Sequence, residues 1–227
     1  MGNSVSYQLE KWAWSEADFD RMGWHDARIY AVQFGKDISF DVDYIFEWVK
    51  SDADDFFSFV VAPVTLVFLN PTSILFNVDC RISQQLEVED IQRRVASSGS
   101  TEWCIETHQG TITITADSFR QVVRRQPTLQ TGQQVLPEER GDSSFSVVPD
   151  TTFSESTEVR KLKAADFALR EKAVQIRRLR RQLEILLEQR SAGVLEVKQY
   201  LLEKRRVEDL VSQLKIELQA ANYEGVV

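Results

Sequence analysis

One phase of apolar residues runs unbroken through the last quarter of this chain. With Leu162 at position a of a heptad, the a positions are Leu162, Leu169, Ile176, Leu183, Arg190, Val197, Lys204, Val211 and Leu218. The d positions are Ala165, Lys172, Leu179, Leu186, Gly193, Tyr200, Val207, Leu214 and Ala221. Fourteen of these eighteen are apolar. A 3.5-residue repeat of that length predicts a coiled coil over residues 157–222, with Thr157 as its N-cap. Leu162, Leu169, Ile176, Leu179, Leu183, Leu186, Val197, Tyr200, Val207, Val211, Leu214 and Leu218 are the expected oligomerisation residues. Gly193 interrupts the run, and a glycine inside a helix costs about 1 kcal/mol relative to alanine. A turn at Ser191–Gly193 would make an antiparallel αα-hairpin. The continuous helix is the expected form, on the length of the uncapped periodic run. The e positions Leu187, Val194 and Leu201 widen the apolar stripe near the glycine.

Residues 1–127 read as an acidic, mainly antiparallel β-domain, so the fold class is α+β. Ser15 and Asp18 have the spacing of a capping box for a short helix over 15–22. Arg28–Phe34 and the segment from Ile38 form a β-hairpin around Gly35-Lys36-Asp37. In its second strand Ile38, Phe40, Val42, Tyr44, Phe46 and Trp48 alternate with Ser39, Asp41, Asp43 and Glu47, Ile45 being the exception, so one face is expected to be buried and the other mostly wet. Residues 51–55 form an acidic loop. Ala62-Pro63 separates two apolar runs, and Pro63, which has no N–H, is expected to start a strand or mark a bulge. A second hairpin turns at His108-Gln109-Gly110. Leu86–Val95 fits either a helical turn or a broken strand. Residues 128–156, rich in Pro, Ser, Thr, Gln and Gly, are expected to be a flexible linker.

Charge is unevenly distributed. Residues 1–157 carry 12 Lys/Arg against 24 Asp/Glu, and residues 158–227 carry 15 against 11. The acidic head argues against nucleic-acid binding. The run Arg177-Arg178-Leu179-Arg180-Arg181 falls on the outside of the coil, where a solvated face is expected rather than a basic region reading DNA. Cys80 and Cys104 are too few for a disulfide framework or a zinc cage and are expected to be buried free thiols. No apolar run is long enough to cross a membrane, and the first residues lack the apolar core of a signal peptide, so a cytoplasmic location is expected.

His25, Asp26, Asp41, Asp43 and Glu47 form the one cluster with a chemical reading. A histidine among carboxylates can serve as a general base or a metal ligand, and Asp41 and Asp43 share a strand face. Without convergence of three or four ligands there is no metal site, and a solvated charged face accounts for the same residues. No Gly-x-Ser-x-Gly or phosphate-cradling glycine loop is present. No cofactor is expected.

The segments Trp24-His25-Asp26, Asp41-x-Asp43-Tyr44-Ile45-x-x-Trp48 and Ala62-Pro63-x-Thr65-Leu66-x-Phe68 resemble a family of small bacterial proteins that has no assigned activity. The resemblance covers residues 1 to about 127 and implies a β-rich domain, with no chemistry attached.

The expected function is that of a non-catalytic binding or adaptor protein: the tail sets a homo-oligomer and the acidic head engages another protein. Two alternatives stand beside it. One is a metal-assisted hydrolase built on His25, Asp41, Asp43 and Glu47. The other is an immunity or antitoxin-like protein whose acidic face masks a basic partner.

Overall fold

The computed structural model describes residues 7–50, 56–79, 85–95 and 99–224. The acidic run 51–55 and Cys80 lie outside these residues; Cys104 is a buried free thiol. The fold is α+β, and the chain divides into two compact units between Val159 and Arg160. Among the described residues no helix is long and apolar enough to cross a membrane.

Among the described residues, ten antiparallel strands build the first unit. They are β1 (Ala13–Ser15), β2 (Arg28–Phe34), β3 (Ile38–Lys50), β4 (Phe57–Leu69), β5 (Ser73–Val78), β6 (Leu86–Val95), β7 (Thr101–Thr107), β8 (Gly110–Thr115), β9 (Ser118–Val123) and β10 (Thr128–Gln130). Their spatial order is β1-β9-β4-β3-β2-β6-β7-β8-β5, and β10 pairs separately with β4. In a flat sheet β4 and β7, four places apart, would stand roughly 19 Å from each other at ~4.8 Å per strand. The rings of Phe68 on β4 and Trp103 on β7 instead lie 6.0 Å apart. The sheet therefore curls, and Phe40, Val42, Phe68, Trp103, Ile105, Ile112 and Ile114 fill a single core. Ser15 and Asp18 close the anticipated capping box on a short 3-10 helix, Glu16–Arg21. Gly110 opens β8 at φ 138°, where a Cβ would collide with the Asn77 carbonyl.

Three features depart from expectation. The segment Leu86–Val95 is a full strand, inserted between β2 and β7. Pro63 neither starts β4 nor bulges it. It falls where the edge partner changes, with β9 pairing from Val64 onward and β10 pairing up to Val61, so the missing N–H interrupts neither ladder. The expected flexible linker, 128–156, is instead packed onto the head: it carries β10 and the single helical turn α1 (Pro137–Arg140), and it buries Gln130, Val135, Glu139 and Arg140.

The second unit corrects the expected continuous helix. Helix α2 (Thr157–Ser191) ends at Gly193, whose φ of 72° closes the helix in the left-handed region, and α3 (Val197–Glu224) returns. Ser156, not Thr157, caps α2, its hydroxyl accepting from the Val159 amide at 3.1 Å. The heptad stripe becomes the seam inside one hairpin. Ile176, Leu179, Leu183 and Leu186 pack with Tyr200, Val207, Val211, Leu214 and Leu218. Lys172 and Glu217 pair across it at 3.0 Å. Both arrangements share the same a and d positions, which is why the repeat alone did not separate them.

Spin labels at positions 172 and 217 test the hairpin. A continuous helix would separate them by about 68 Å at 1.5 Å per residue. The hairpin predicts about 20 Å or less, an interaxial spacing of ~10 Å plus the label arms. A dipolar distance above ~50 Å in a magnetically dilute sample would rule the hairpin out.

Candidate functional site

The alternation in β3 fixes where its carboxylates point. Ile38, Phe40, Val42 and Tyr44 enter the core, so Asp41 and Asp43 project from the opposite face. That face was expected to be wet. It is covered by the strap 128–150, and both aspartates are fully buried. Ionised carboxylates removed from water must be paired and hydrogen-bonded. Arg140, delivered by α1, donates from Nη2 to Asp41 at 2.5 Å and from Nε to Asp43 at 3.0 Å. Arg124, just beyond β9, also donates to Asp41. The Ser144 amide completes Asp41 at 3.2 Å, while the Val135 amide and the Tyr30 hydroxyl complete Asp43 at 2.9 and 3.0 Å. Tyr30 also places its ring 3.6 Å from the Arg140 guanidinium carbon. Burial raises the Asp43 carboxyl above its ordinary value, against the pull of Arg140 and the two hydrogen bonds. Burial, followed by the Asp43 charge, raises the Tyr30 hydroxyl. Burial lowers Arg124, opposed by Asp41.

Further bonds fix the strap. Arg125 donates to the carbonyls of Glu139 and Arg140 at 2.5 and 2.7 Å, satisfying the C-terminal end of α1. The buried Glu139 carboxylate accepts from Thr128 and Gln130 at 2.8 and 2.7 Å. Thr65 on β4 donates to the Ser146 carbonyl at 2.7 Å. Val135 packs on Ile45, Phe59 and Val61 beneath the strap. Two cavities flank Arg140. One of about 460 Å³ is lined by Arg28, Tyr30, Gln85, Gln134, Arg140 and Ser143 among others. The other, about 230 Å³, is lined by Arg124, Arg125, Asp142, Ser144 and Asp150 among others.

The remaining members of the sequence-derived cluster do not join this network. His25 is exposed and stacks on Trp48 with ring centroids 6.1 Å apart, and Glu47 is exposed on β3. Asp41 and Asp43 are thus buried together on Arg140, whereas His25 stands beside Asp26 at the surface and Glu47 is exposed. A different set comes together instead. One oxygen or nitrogen from each of Asp26, Glu87 and His108 lies within 4.8 Å of the other two. His25 Nε2 stands 3.6 Å from Asp26 Oδ1, and His108 Nε2 stands 3.6 Å from Glu87 Oε1. The sheet order makes this corner: β6, which carries Glu87, lies between β2, which Asp26 precedes, and β7, whose turn holds His108. Asp26 itself adopts φ 61°, unusual outside glycine, and its amide donates to the Val88 carbonyl at 2.8 Å.

The sequence reading missed Arg124, Arg140, Glu87 and His108 as partners. One signal was available for the arginines. The run Phe59–Phe68 is apolar almost throughout, as befits a strand buried on both faces. Such a strand requires a cover on its outer face, and 128–156 was the segment left to supply it. No comparable signal pointed to Glu87 and His108. No family model matches the chain, and neither a curated protein nor a solved structure is significantly similar to it.

Substituting Arg140 isolates the network. Arg140→Ala leaves Asp41 with Arg124 and takes from the buried Asp43 the arginine it pairs with; it is expected to cost about 3–5 kcal/mol, the usual penalty for breaking a buried ion pair. The denaturation midpoint should fall accordingly, and limited proteolysis should open 128–156 before any other region. A midpoint equal to that of the unsubstituted protein would mean that the strap is held by other contacts.

Proposed function

We propose that this chain is a non-catalytic binding protein that self-associates through its helical hairpin and engages a further protein with its acidic head. The observation that carries the reading is at the hairpin tip. The a and d residues from Ile176 to Leu186 and from Tyr200 to Leu218 pack within the hairpin, yet Leu187, Val194, Leu201 and Leu202 stay 55, 76, 56 and 64 % exposed. In the register set by Lys172 and Glu217, Leu187 lies level with Leu201 and Leu202, so these side chains form one apolar flank beside the turn. Apolar residues grouped on a surface mark an interaction site more often than scattered ones do. A second hairpin offers the same flank, and two-fold pairing would extend two helices to a four-helix bundle.

The head supports the second half of the proposal through charge. Its excess of acidic residues favours a basic protein surface and speeds encounter with one. Asp41 and Asp43 are not part of that surface, because their charges are spent on Arg124 and Arg140.

Sedimentation of the full chain tests the assembly. The expected result is a dimer or larger species that becomes monomeric in Leu187→Glu/Leu201→Glu with helicity unchanged. Burying a leucine is worth about 2 kcal/mol, so the double variant should weaken association by roughly 10²-fold or more. A monomeric parent protein at tens of micromolar would remove the self-association, and an oligomer indifferent to both substitutions would place its contact elsewhere.

A further inference from the structure

The chain has two histidines: His108 meets Asp26 and Glu87 in one group, and His25 stands beside Asp26. We infer that this corner is a binding site for one divalent first-row transition-metal ion, with Asp26, Glu87, His108 and His25 as its ligands. The inference is independent of the assembly proposed above.

Geometry comes first. A tetrahedral site with bonds of 2.0–2.2 Å holds its ligand atoms about 3.4 Å apart. Each imidazole Nε2 already stands 3.6 Å from a carboxylate oxygen, and the group Asp26, Glu87 and His108 spans at most 4.8 Å. Small side-chain rotations therefore suffice to close Asp26, Glu87 and His108 around one ion, and His25, beside Asp26 but outside that group, must swing toward it to complete the set. The partial exposure of both histidines leaves room for those rotations and a path for entry.

The surrounding bonds orient the donors as metal ligands are oriented. His25 Nδ1 donates to the Glu89 carbonyl at 3.2 Å, which fixes the tautomer that leaves a lone pair on Nε2, the atom facing Asp26. Asp26 Oδ2 accepts from Gln133 Nε2 at 2.6 Å, leaving Oδ1 for the ion. The Glu87 amide donates to the Gln109 side chain at 3.2 Å, and the His108 amide donates to the Glu87 carbonyl at 3.0 Å, so the two ligand-bearing backbones are tied to each other.

Charge and donor type choose the ion. Two carboxylates share the corner, and the cation facing them is Arg28, 3.8 Å from Glu87 Oε2 and also bonded to Gln134 on the side of the larger cavity. Arg28 approaches Glu87 from the oxygen that His108 does not use, so it competes with a metal weakly. Mixed imidazole and carboxylate donors suit zinc and its first-row neighbours better than magnesium or calcium, which favour all-oxygen shells.

Calorimetric titration of the chelator-stripped full chain with zinc chloride at pH 7.5 tests the site, with a thermal melt as a second readout. The expected result is one ion per chain and a melting temperature that rises with zinc. His108→Ala and Glu87→Gln should each weaken binding by at least tenfold and abolish the rise, and Gln133→Leu, which removes only an orienting bond, should weaken it by roughly tenfold. The two primary substitutions lie at partly exposed positions and should leave the metal-free melting temperature unchanged. No uptake at millimolar zinc would overturn the assignment, as would stoichiometric binding that survives both His108→Ala and Glu87→Gln.

Discussion

Two aspartates on one face of a central strand decide how the head of this protein is closed. Asp41 and Asp43 sit beneath the strap 128–150, where neither carboxylate reaches water. Leaving either unpaired would cost several kcal/mol. Arg124 arrives from the end of β9, across β4 from β3, but Arg140 and the amides of Val135 and Ser144 arrive only when the strap is seated. The network adds little net stability over an apolar filling, because desolvation of four charges offsets much of the attraction. What it supplies is register: the strap has one position in which every donor meets an acceptor.

That position has consequences on both sides of the strap. Val135 covers Ile45, Phe59 and Val61, which would otherwise present an apolar patch on the sheet. Gln133 and Gln134, immediately before Val135, reach Asp26 and Arg28. The strap thus connects the buried ion network to the histidine corner, and a shift in one would move the orienting bonds of the other.

Local patterns in the chain were legible wherever neighbours in sequence are neighbours in space. The hairpin β2–β3, the turn at His108, the capping box of Ser15 and Asp18 and the heptad stripe all follow from short-range spacing. Failures share the opposite cause. Asp41 and Asp43 alternate correctly with the apolar residues of β3, but alternation assigns a face, not what lies over that face. Residues 128–156 have the composition of a linker because their cohesion comes from charged and amide groups that find partners a hundred positions away. Glu87 and His108 join Asp26 only because β6 inserts between β2 and β7, an order that strand propensities do not encode. In the tail, Gly193 marked the turn, but a stripe with unchanged phase fits a continuous helix equally well.

The central claim, that the strap is locked to β3 by its buried carboxylates, is tested most directly by hydrogen exchange of the Val135 and Ser144 amides in the intact protein. Both donate to fully buried aspartates. They should exchange as slowly as amides in the middle of β4, opening only with global unfolding of the head. Exchange at the rate of an open loop, while β4 stays protected, would contradict the account.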